Sequence, residues 1–187
     1  MTSFWMSLAL IAAALPSTPA GRDCWIRGDR ARLASRASPH ASTTLAVGRD
    51  TVTVCYARVA KRDRLVMGGL VPYGEPWRLG ANEATAIYVP FRATIAGVAV
   101  EPGWYSLYAV PGEREWRIVV NAETQRWGIP FDAAVRARDV GSGTVAVERV
   151  AATVEDLTLT LRGEGASGAV LEIVWENTRV RVPITRS

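Results

Sequence analysis

The chain has 187 residues, 49% of them hydrophobic and 21% charged, with a formal net charge of +4 at pH 7. Those proportions exclude a disordered chain and favour one globular domain with a single core. The positive excess is mild and spread as single arginines, without the clustered, aromatic-interleaved pattern of a nucleic-acid footprint, so no nucleic-acid partner is expected.

Phe4 to Leu15 is an apolar run, shorter than the roughly 20 residues that span a bilayer. Small residues from Pro16 to Ala20 follow it, as before a cleavage site. Residues 1–20 therefore read as a secretory signal peptide. The mature protein is expected in the periplasm or outside the cell, with no stable membrane span after cleavage. Residues 21–37 are polar, Arg-rich and aperiodic, and read as a linker. A single domain is expected over residues 38–185.

The two cysteines are Cys24 and Cys55. In an exported chain they can form a disulfide. Cys55 also sits in a strand-like run, where it can serve as a small buried hydrophobe, and the sequence leaves both readings open. There is one histidine, His40, and no CxxC spacing, so no metal site and no cofactor are expected.

Strand signals then recur. Thr51 to Tyr56 alternates, with Val52, Val54 and Tyr56 on one face. Gly68 to Thr85 (GGLVPYGEPWRLGANEAT) interrupts the pattern with four glycines and two prolines among polar and aromatic residues. That mixture predicts an ordered loop displaying polar groups. Strands follow at Ala84–Phe91 and Thr94–Val100, the second with a tight turn at Gly97. Trp104–Val110 and Trp116–Asn121 read as a hairpin. Phe131–Arg138 is the one helix candidate, and it is short. Strands over Gly143–Val150, Leu157–Arg162, Ala169–Trp175 and Thr178–Ile184 complete the chain. Short strands without βα alternation predict an all-β fold, an antiparallel β-sandwich of jelly-roll-like form in a single domain. Of the seven tryptophans, Trp116 and Trp175 fall in strand patterns and are expected in the core. Trp77 and Trp127 fall in loops and are expected to be more exposed.

A linked series of residues runs through these elements: Ser38-Pro39-His40, Val54-Cys55-Tyr56-Ala57-Arg58, Gly69-Leu70-Val71-Pro72-Tyr73-Gly74, Trp77-Arg78, Gly80-Ala81-Asn82-Glu83-Ala84-Thr85, Gly103-Trp104-Tyr105-Ser106-Leu107 and Trp175-Glu176-Asn177-Thr178-Arg179-Val180. The series resembles the bacterial family known as domain of unknown function 2911, over roughly Pro39 to Ile184. The resemblance implies export and the domain limits, and it transfers no catalytic residue. Two positions depart from the family pattern. Val59 stands where Pro usually follows the Arg, and Leu79 stands where Thr usually follows Trp-Arg, which removes a hydroxyl from the candidate site.

The candidate ligand-binding residues are His40, Tyr56, Arg58, Tyr73, Trp77, Arg78, Asn82 and Glu83. Arg offers a rigid donor fork, Asn a donor and an acceptor, and Glu an acceptor. With Tyr73 and Trp77 they are suited to gripping a sugar or a carboxylate. The expected function is binding of a small polar or saccharide ligand beside the Gly68–Thr85 loop, without catalysis. One alternative is a hydrolase-like enzyme using His40 with Glu83 or Cys55. The other is a structural or protein-interaction module, in which an Arg–Glu pair pins the loop.

Overall fold

The computed structural model describes residues 22–165 and 168–187. The expected signal segment, residues 1–20, lies outside them. Nine antiparallel strands are present: β1 (His40–Val47), β2 (Asp50–Ala57), β3 (Thr85–Val89), β4 (Ala93–Ile95), β5 (Val98–Val100), β6 (Gly103–Pro111), β7 (Glu115–Asn121), β8 (Asp139–Glu164) and β9 (Gly168–Arg186). The fold is all-β and single-domain, as the period-two alternation predicts. Among the described residues no helix is long and apolar enough to cross a membrane.

The hydrogen-bonded order is β1-β2-β3-β6-β7-β8-β9-β4-β5. β8 joins two ladders: Asp139–Ala146 pairs with β7, and Val147–Glu164 pairs with β9. The sheet folds back on itself, so that the Leu161 amide of β8 donates to the Thr43 hydroxyl of β1 at 3.3 Å. Val52, Ile87, Leu107, Ile118, Ile173 and both Trp116 and Trp175 meet in one core. Each fully buried aliphatic side chain there contributes roughly 1.5–3 kcal/mol.

Three expectations change. β1 was not anticipated, because an edge strand that is half exposed along its length carries little hydrophobic alternation. The four strands expected after Gly143 are two long ones. Alternation lapses near Val150–Asp156 and at Glu176–Asn177, but pairing continues through register shifts. Glu176 adopts a left-handed φ of 54° there. Asn177 Nδ2 donates to the Val150 carbonyl at 3.1 Å, replacing ladder bonds lost at the bulge. The helix candidate shrinks to a single turn, α1 (Ala133–Arg136), capped by the Asp132 side chain.

The segment read as a linker is docked on the domain. It carries a short 3-10 turn at Arg30–Ser35 whose N-cap is Asp29. A Cys24–Cys55 disulfide ties it to β2, and the Arg22 amide donates to Thr53 Oγ1. This explains why β2 is buried on both faces. Val52, Val54 and Tyr56 enter the core, while Thr53 and Cys55 lie under the lead-in.

Candidate functional site

The Gly68–Thr85 loop is ordered by backbone bonds to its surroundings. Trp77 and Ala109 of β6 exchange both amide bonds, at 2.7 and 2.9 Å. Gly74 N donates to Pro111 O at 2.8 Å, and Ala84 N to Arg126 O at 3.1 Å. Leu79 is fully buried, and its carbonyl accepts from Thr85 Oγ1 at 2.9 Å. Leu79 and Asn82 both take left-handed φ values, 55° and 60°. Asn tolerates that region better than most residues. The buried Leu79 anchors a reversal that sends the side chains on either side of it in different directions.

The expected constellation of Arg78, Asn82 and Glu83 is therefore split. Arg78 and Trp77 line one cavity of about 390 Å³. Glu83, His40 and Tyr56 line a second, of about 230 Å³. Arg58, Tyr73 and Asn82 line neither. Arg58 is exposed, Tyr73 packs on the core, and Asn82 Nδ2 donates to the Ser38 carbonyl at 3.0 Å. Arg78 and Glu83 do not pair; the loop-pinning acid–base pair exists, but its base is Arg36.

The smaller cavity sits where the lead-in crosses β1 and β2. Trp25 and Arg30 from the lead-in and Trp104 from β6 complete its walls. Arg36 Nη1 donates to Glu83, which also accepts from the Arg27 amide at 2.9 Å. Burial pushes the Glu83 carboxyl up, but the hydrogen bonds from the Arg27 and Glu83 amides and from Arg36, with the Arg36 charge, outweigh it and leave it below its ordinary value. Burial pushes the His40 imidazole down; Glu83 pulls it back, and Arg30 and Arg36 add to the lowering. His40 is thus neutral at pH 7. Cys55 is disulfide-bonded and carries no free thiol in this form, while the Glu83 carboxylate accepts from Arg36 and from backbone amides.

The larger cavity is walled by the loop itself, through Leu70, Pro76, Trp77, Arg78 and Gly80. Trp77 stacks on Trp175 with centroids 5.8 Å apart and planes at 17°, and meets Trp116 edge-on at 5.6 Å. Trp77 is half-buried, not an exposed platform, while Trp116 and Trp175 are core as expected. Arg62 and Arg64 also line it, and among the described residues no acidic one does. The only hydrogen bond of the Arg78 side chain among the described residues is from Nε to Gly80 O, 3.0 Å. Burial lowers the Arg78 guanidinium from its ordinary value, yet it stays charged at neutral pH. Gly128 lets it lie flat: a Cβ there would come 2.4 Å from Arg78 Cδ.

A family model described as "Protein of unknown function (DUF2911)" matches residues 38–184. The chain belongs to that family. No curated protein matches the chain, and no solved structure does. The loop and both cavities fall largely within the matched part of this DUF2911 domain, but Cys24, Trp25, Arg30 and Arg36 precede it. Sequence reasoning missed Trp25, Arg30 and Arg36, because an aperiodic segment gives no sign of docking; the one signal there was Cys24, whose disulfide to Cys55 was one of the two readings left open.

Proposed function

We propose that this DUF2911 domain is an exported, non-catalytic binding module whose site is the cavity beneath the Gly68–Thr85 loop. The ligand is a small ring-bearing carboxylate, with a sugar acid as the closest fit to the walls. One observation carries this reading: Arg78 presents a half-buried guanidinium, unpaired by any acid among the described residues, beside the Trp77 ring. A desolvated guanidinium without a counter-ion favours an anion that accepts its fork of donors. The Trp77 and Trp175 side chains that line the same cavity offer an apolar wall for a ring. At about 390 Å³ the space is of the size that holds small ligands. Export is supported by the disulfide, which persists in oxidising compartments.

Thermal shift and calorimetric titration with glucuronate, glucose and acetate test this. Binding raises the unfolding temperature by mass action. Glucuronate is expected to stabilise the protein most, and Arg78→Ala to weaken its binding by at least about tenfold, the loss of one charge-assisted contact. Equal affinity for glucose and glucuronate, or glucuronate binding unchanged in Arg78→Ala, refutes the assignment.

A further inference from the structure

We propose that the Cys24–Cys55 pair and His40 form a second, redox-controlled site: on reduction of the disulfide, the two thiolates and the imidazole take up one thiophilic d10 cation. The ligand atoms of Cys24, His40 and Cys55 all lie within 4.8 Å of one another. Metal bonds of about 2.3 Å to sulfur and 2.0 Å to nitrogen set neighbouring donors roughly 3.5–4 Å apart. Side-chain rotation after the sulfurs part is enough to reach that spacing. Two thiolates with one imidazole select zinc(II) or copper(I) over hard cations.

Three features of the fold favour a site over a bare crosslink. Both cysteines are buried, and His40 is partly buried beside them. The cavity of about 230 Å³ is lined by all three residues, so a fourth coordination position opens onto a space that holds water or a ligand. The lead-in also has a second attachment, through Arg36 and the Arg27 amide to Glu83. Cys24 therefore stays near His40 when the covalent link is cut.

The step balances simply. An external dithiol gives two electrons and two protons to the disulfide and becomes a disulfide itself, leaving two thiols. Binding of a divalent cation releases those two protons to solvent, and the two thiolates neutralise its charge. His40 contributes a lone pair as the neutral imidazole. Reoxidation reverses the exchange and expels the cation, so the disulfide and the metal exclude each other.

The test uses the full mature chain, reduced and freed of reductant without oxygen, then titrated with zinc(II) and copper(I) against chromophoric competitors and with cobalt(II) as a spectroscopic probe. The reduced protein is expected to bind one equivalent, with a thiolate-to-cobalt absorption, and the oxidised protein none. A Cys24→Ser/Cys55→Ser double variant loses at least about 100-fold in affinity, and His40→Ala loses about 10–100-fold while keeping the thiolate absorption. One equivalent of either copper(I) or zinc(II) bound by the reduced protein supports the proposal. Reduced protein that binds no better than the double variant overturns it. So does affinity unchanged in His40→Ala, or a strand signature in circular dichroism that collapses on reduction alone.

Discussion

Arg36 places its Nη1 2.9 Å from each carboxylate oxygen of Glu83, across 47 positions of sequence. The acid is almost fully buried and the base mostly so. Arg36→Ala leaves a buried carboxylate with only backbone donors, and is expected to cost about 1.5–3 kcal/mol in urea unfolding at pH 7. The Glu83 carboxyl lies below its ordinary value in the folded protein. Its contribution is therefore fully present above the carboxylate range and lost as pH falls through the folded value. The stabilities of wild type and Arg36→Ala should converge as pH falls below the ordinary carboxylate range and through the folded value. A gap between the two that stays constant down to the onset of acid unfolding would mean that the pair acts by packing instead of charge.

The disulfide closes a loop spanning 31 positions. Constraint of the unfolded chain over that length is worth about 3–4 kcal/mol. A Cys24→Ser/Cys55→Ser double variant should lose that much in denaturant unfolding under non-reducing conditions, while a reductant should bring the wild type down toward it. An unchanged midpoint in the variant would contradict the docking of the lead-in.

Two glycines of β8 are predicted to respond in opposite ways. A Cβ on Gly143 would lie 1.7 Å from the Ala96 carbonyl oxygen, in the turn of the β4–β5 hairpin, whereas one on Gly163 meets nothing within 4 Å. Gly143→Ala must displace backbone and should cost more than about 2 kcal/mol. Gly163→Ala should stay within about 0.5 kcal/mol of wild type. Thermal denaturation of the pair decides it, and comparable losses would place the hairpin elsewhere.

Tyr108 donates to Asp139 Oδ2 at 2.7 Å. Burial first, then this bond and the Asp139 charge, push the phenol up to about 12. Tyr108 should ionise late in an ultraviolet alkaline titration, and Tyr108→Phe should remove that late phase. The sign for stability follows: because the folded value exceeds the unfolded one, the contribution is intact below about pH 10 and fades as pH climbs toward 12. An alkaline titration that Tyr108→Phe leaves unchanged at its high-pH end would refute the burial of Tyr108.

Much of the architecture was legible because burial on one face writes itself as alternation. Leu157, Leu159 and Leu161 point one way, and all three are buried. Where both faces are covered, as in β2, the cause lies in the lead-in, whose docking rests on the Cys24–Cys55 disulfide, the Arg36–Glu83 ion pair and the amides of Arg22 and Arg27. Long-range links of that kind leave no local trace. The candidate residues were recognised by type, but their grouping was not. Arg78 and Glu83 are five apart, and only the left-handed turns at Leu79 and Asn82 send them to separate cavities. The continuity of β8 and β9 was hidden for a related reason. Asn177 and Glu176 look like breakers in sequence, yet Asn177 bridges the interruption to the Val150 carbonyl of β8, while Glu176 accepts from the Val66 and Met67 amides.

One strand, 26 residues long, bonds to β7 along its first part and to β9 along the rest. It acts as a hinge pin shared by two leaves: neither leaf has a complete set of neighbours without it. A protease nick near Ala151 would not release two autonomous subdomains but two fragments with raw edges.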